Sequence, residues 1–135
     1  MNDAQLLKIN QVVGVRYIVR DVDSAVTFYT ETLGFNADQH VKSAFAALSL
    51  GNLKLFINRP GAGGAGQAMP DGTLPEPGGW NRIQFTVEDL EEVVRDLKNK
   101  GGKFRNEIVV GIGGKQILLE DPSGNLIELF EPAGQ

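Results

Sequence analysis

The stretch Asp121-Pro122-Ser123-Gly124-Asn125-Leu126-Ile127-Glu128-Leu129-Phe130-Glu131 decides how this chain is read. Its first five residues form a turn, since Pro122 suits the second position of a type I turn and Gly124 can take a positive φ. The rest alternates as a strand. Leu126, Glu128 and Phe130 share one face, and Ile127 and Leu129 share the other. Glu128 is therefore a carboxylate set mid-strand among apolar neighbours. Such a group needs a metal, a cation or a proton as partner.

Working outward, residues 105–110 and 115–120 read as a hairpin around Gly111-Ile112-Gly113-Gly114. Before them, Asp89 caps a helix whose apolar stripe is Leu90, Val93, Val94 and Leu97. Glu92 completes a capping box, and Gly101 ends the helix. Arg82 to Val87 alternates as a strand. The first half has the same plan. Val12 to Arg20 alternates. Asp21 caps a helix carrying Val22, Ala25, Val26, Tyr29 and Leu33, and Gly34 ends it. Two short strands over 37–50, a Gly51-Asn52 turn and a strand at 53–58 follow. The letters repeat as well: Val19-Arg20-Asp21-Val22-Asp23 matches Val87-Glu88-Asp89-Leu90-Glu91. Each half is β-α-β-β-β, so the fold is α+β with one duplicated unit. The expected organisation is a single domain over 1–135. It comprises a first module at 12–58, a Gly/Pro-rich linker at 59–79 and a second module at 80–132.

Composition narrows the function. With 135 residues the chain is long enough for one domain that buries roughly two-thirds of its unfolded surface. A net charge of -4 with no basic cluster argues against nucleic acid as a partner. No run of about 18 apolar residues exists, so no membrane span is expected. The N-terminal Met1-Asn2-Asp3-Ala4-Gln5 lacks a basic region, and a cytoplasmic location is expected. There is no cysteine and one histidine, His40, which removes thiolate chemistry and any His pair for zinc. His40 itself reads as a surface or edge-strand residue. Gly61-Ala62-Gly63-Gly64-Ala65-Gly66 formally fits a dinucleotide pattern, but Pro70 and Gly72 prevent the helix that pattern requires.

The duplication, the segment Asp21-Val22-Asp23-Ser24-Ala25-Val26-Thr27-Phe28-Tyr29 with Leu33-Gly34-Phe35, and the run from Glu120 to Leu129 together resemble the vicinal oxygen chelate superfamily. That group includes glyoxalases, bleomycin-resistance proteins and extradiol dioxygenases. The resemblance covers about residues 12–132. It implies a cupped mixed sheet with helices outside, a small-molecule cleft and a homodimer, but not a particular reaction. The metal enzymes of that group use a His or Gln on each module's first strand and a Glu on each last strand. Those positions fall on Gly14, Arg82, Leu55 and Glu128. Glu128 is the only metal donor among them. No cofactor is expected on this count, and a divalent metal is the alternative.

The residues themselves point the same way. Arg82 can pair bidentately with Glu128 and satisfy it with a guanidinium in place of an ion. Alternation puts Arg16, Gln84 and Thr86 on the concave face, with Ile18, Leu55 and Phe130 as apolar flanks. Trp80 is a possible aromatic wall, whereas Tyr17 and Phe85 read as core. The leading expectation is a metal-independent binder of a small anionic or zwitterionic organic molecule, anchored by Arg82, Glu128, Arg16 and Gln84. The alternative is a glyoxalase-like lyase or isomerase with Glu128 as catalytic base or metal ligand.

Overall fold

The computed structural model describes residues 13–134; the polar lead-in and Val12, the first residue of the expected first strand, lie outside them. Each half opens on an alternating strand. β1 (Val13–Ile18) turns Val15 and Tyr17 to the core and Gly14 and Arg16 the other way. Asp21 then caps α1 (Val22–Thr27), its carboxylate accepting the Ser24 N–H at 3.1 Å. Thr27 and Thr30 return their hydroxyls to the carbonyls of Asp23 and Val26, a back-bonding that loosens a helical ladder. The helix widens there into a π turn over Phe28–Thr32, and Gly34, at φ +85°, ends it. β2 (Asn36–Val41), β3 (Phe45–Leu50) and β4 (Leu53–Asn58) complete a sheet ordered β1-β4-β3-β2, with β1 parallel to β4.

The second half repeats this order. It runs through β5 (Arg82–Thr86), α3 (Leu90–Asn99), β6 (Lys103–Phe104), β7 (Val109–Val110), β8 (Gly114–Glu120) and β9 (Leu126–Pro132). Its sheet is ordered β5-β9-β8-β6, with β7 also on β8 and β5 parallel to β9. The fold is α+β, as the duplication indicates, built on two mixed sheets.

Three sequence-based expectations need correction, and the connection between the halves adds an element. The strand expected at 105–110 is broken, because the Asn106 side chain takes the Leu118 N–H that a ladder would use. The capping box at α3 is half made. Asp89 accepts from the Glu92 N–H at 3.1 Å, while Glu131 of β9 accepts the N–H of Leu90, the first helical residue, at 2.9 Å, a tertiary cap on a different donor from the one Glu92 would take. The Gly/Pro-rich connection contains a single helical turn, α2 (Gly63–Gly66). Finally, Leu55 is fully buried in the core and flanks no cleft. Opposite Arg16 on β4 stands Phe56, as Glu128 stands opposite Gln84 on β9. By pairing, the counterpart of Glu128 in the first half is therefore Phe56 and not Leu55, and that one-residue difference flips the face.

One hydrophobic cluster unites both halves, from Val19, Tyr29, Leu48 and Ile57 to Leu90, Ile117 and Ile127. Phe35 meets Phe85 edge-on at 6.2 Å across the seam. The turn at 121–125 is the polar joint between the halves. Asp121 accepts from the backbone N–H groups of Ser123 and Asn125, from the Asn125 amide, and from the Tyr29 hydroxyl at 2.9 Å. Asn125 in turn donates to the Ile18 carbonyl, and Ser123 accepts the Arg20 N–H. Tyr17 spans the same seam, donating to the Leu126 carbonyl and accepting from the Ile83 N–H.

Candidate functional site

Away from this core, each sheet shows an open face. On the second sheet, pairing puts Arg82, Gln84 and Thr86 of β5, Leu126, Glu128 and Phe130 of β9, and Gln116, Leu118 and Glu120 of β8 on one side. Glu128 sits at the centre and is 7% exposed. Its Oε1 accepts from Arg82 Nε at 2.9 Å, and Nη2 completes the ion pair at 2.9 Å from the same oxygen. The approach is side-on, with Nε and Nη2 both facing one oxygen, so the bidentate two-oxygen fork expected from the sequence is not formed. Oε2 accepts from Gln84 Nε2 at 2.7 Å. Gln116, with its amide turned so that both groups are satisfied, donates to Oε2 at 2.8 Å and to Oε1 at 3.2 Å. A carboxylate has about four acceptor directions, and these donors fill them.

Arg82 is also fixed by the Trp80 carbonyl, which accepts from Nη1 at 3.2 Å. That leaves one N–H on each Nη of Arg82 uncommitted among the described residues, with the side chain 29% exposed. The surface thus offers neutralised charge at depth and directed donors at the rim.

The open face of the first sheet is different in kind. The Arg16 guanidinium lies 5.1 Å from the centre of the Phe56 ring and donates to the Asn58 side chain. Phe45 stacks on Phe56 at 6.4 Å and 14°. Phe56 in turn lies over Gly14, where a Cβ would stand 2.6 Å from the ring. Sequence reasoning placed Arg16 with Arg82, Gln84 and Glu128. The structure brings together Arg82, Gln84 and Glu128, with the Trp80 carbonyl on Arg82, while the partners of Arg16 are Phe56 and Asn58 of its own sheet. Gln116, Phe56 and Arg105 were missed by that reasoning. The alternation of β8 could have pointed to Gln116; nothing local could have pointed to Phe56, whose register depends on the pairing with β1.

A divalent ion does not fit this donor set. The acceptor directions of Glu128 are taken, a guanidinium stands 2.9 Å away, and the opposite half presents glycine under a phenyl ring. No group of three His, Cys, Asp or Glu side chains suited to a metal occurs among the described residues.

His40 belongs to the other sheet and bonds a different carboxylate. On edge strand β2 its Nε2 meets Asp23 Oδ1 at 2.7 Å, and Ser43 gives Asp23 two more hydrogen bonds. The Ser43 N–H first, and His40 second, hold the Asp23 carboxyl below its ordinary range. The serine hydroxyl bonds the aspartate and not the histidine, so these residues do not form a nucleophilic triad.

Comparison with known proteins places the architecture. Virulence protein STM3117 of Salmonella typhimurium is 27% identical over 117 residues, spanning 84% of this chain and 78% of that protein. Its crystal structure superposes with a TM-score of 0.70 at 25% identity, covering 94% of this chain and all of that one. Lactoylglutathione lyase from Agrobacterium tumefaciens (TM-score 0.69, 17% identity, 89% and 92% covered) and TnmS3, an antibiotic binding protein from Streptomyces (TM-score 0.69, 22% identity, 95% and 100% covered), share the fold. No helix among the described residues is long and apolar enough to cross a membrane. Residues 8–129 match the family described as the Glyoxalase/Bleomycin resistance protein/Dioxygenase superfamily, and the chain belongs to it.

Proposed function

We propose that this protein binds a small organic molecule on the open face of its second sheet, without a metal and without chemistry at Glu128. The observation that carries this reading is the filled hydrogen-bond shell of Glu128. A general base needs a lone pair aimed at the proton it removes, and Arg82, Gln84 and Gln116 occupy those directions. The carboxylate instead holds Arg82 and the two amides in place. The spare Arg82 N–H groups then suit a carboxylate, carbonyl or amide oxygen of an anionic or zwitterionic ligand. That the similar fold of TnmS3 belongs to an antibiotic binding protein supports binding as a use of this architecture.

Calorimetric titration with matched small carboxylates and amines tests the charge preference. Carboxylates are expected to bind more tightly, and a clear preference for amines overturns the reading. Glu128→Gln is expected to weaken carboxylate binding about tenfold, because Arg82 loses its fixed orientation. Purified protein carrying a stoichiometric divalent metal would instead favour the lyase or isomerase alternative.

The working form is a homodimer. The β7–β8 hairpin leaves Val110 largely and Ile112 fully exposed to solvent. A second copy covers such a tip. Sedimentation should show a dimer for the wild type and a monomer for Ile112→Asp.

A further inference from the structure

The single tryptophan of the chain, Trp80, is 68% exposed, yet it is held from several sides. Gly78 and Gly79, at φ +105° and +93°, turn the backbone into it, a geometry that other residues resist. The Gly78 N–H donates to Asn125 Oδ1 at 2.8 Å, and the Trp80 carbonyl accepts from Arg82. The Arg105 guanidinium lies 5.4 Å from the indole centre. Arg105 is itself fixed, donating from Nε to Glu120 Oε2 at 3.1 Å. Glu120 and Glu128 lie on the same side of the second sheet, so this stacked pair adjoins the Arg82 cluster. An ordered indole with one ring face on a cation and the rest open to solvent is a ready platform for a second flat ring.

We propose that Trp80, backed by Arg105, is a stacking subsite for a planar aromatic group, so that the ligand is an aromatic carboxylate or amide with its polar end at Arg82. The inference rests on the reading of this face as a ligand site, and it adds the ligand's chemical class. The carboxylate reaches the spare Arg82 donors while the ring lies on the indole. A saturated ring of equal charge and size loses the stacking and keeps the rest.

Because Trp80 is the only tryptophan, its emission reports this event directly. Benzoate and cyclohexanecarboxylate, titrated in parallel by fluorescence and calorimetry, separate the two claims. Benzoate is expected to change Trp80 emission and to bind about five- to tenfold more tightly than cyclohexanecarboxylate. Trp80→Ala should abolish that preference, weakening benzoate more than cyclohexanecarboxylate. Arg105→Leu should reduce the preference, with circular dichroism confirming that both variants fold. Equal affinities with unchanged emission overturn the platform and leave the carboxylate site standing. No binding of either acid overturns both. Emission that shifts with protein concentration in the absence of either acid gives Trp80 to a contact between copies and also overturns the subsite.

Discussion

Tyr29 shows how one side chain carries both apolar and polar work. It is fully buried, stacks edge-on with Phe28 and Phe35, and donates to Asp121 across the seam between halves. Tyr29→Phe keeps the ring and removes one hydrogen bond to a buried carboxylate. It should lower stability by about 1.5–3 kcal/mol in chemical denaturation, and an unchanged midpoint would show that Asp121 finds another donor. Burial, and secondarily the charge of Asp121, push the Tyr29 hydroxyl well above its ordinary pKa of 10.0. The neutral form is thus favoured in the folded state. Above pH 10 the unfolded chain gives up this proton more readily than the folded one, so stability falls as pH rises from there. The Tyr29→Phe variant should show a shallower alkaline decline, measured as denaturation midpoints from pH 9 to 11.

Elements matter here through the faces they turn outward. β1 and β5 have the same place in their modules, but β1 presents Gly14 and Arg16 where β5 presents Arg82 and Gln84. Gly14 is dictated by its cross-strand environment, since the ring of Phe56 takes the space of a side chain. Gly14→Ala should displace that ring, break its stack with Arg16, and cost about 1–3 kcal/mol. Adding Phe56→Ala should remove most of that cost. A double-mutant cycle measures the coupling, and strictly additive effects would disprove the proposed clash.

For the whole molecule, the decisive feature is that one core and one polar joint serve both modules. Asp121→Ala would leave the Tyr29 hydroxyl, two backbone N–H groups and an amide without their acceptor. The loss should be about 3 kcal/mol or more, and unfolding should stay a single transition because neither module keeps a separate core. Two resolved transitions would show that the modules are independent. At the acid edge, Asp23, held down by the Ser43 N–H and His40, Asp38, held down by Ser49 and Lys54, and Asp71, held down by Thr73, each favour the charged form in the folded state. Their contribution is present above their ordinary pKa near 3.8 and is lost as pH falls below it.

Local rules in the sequence determined the elements and their order. The capping aspartates, Asp21 and Asp89, the positive-φ glycines, Gly34, Gly101 and Gly124, and the period-two strands each act within a few residues, so the duplicated α+β plan was legible without coordinates. That Glu128 is a buried strand carboxylate in need of a partner was legible for the same reason. Pairing across sequence distance decided the rest. The register of β4 against β1 exchanged Leu55 for Phe56, β8 brought Gln116 to Glu128, Glu131 capped the Leu90 N–H, and the turn at 121–125 became the joint between modules. Each of these depends on which strand lies beside which, and a one-residue slip reverses a face that no local pattern can fix.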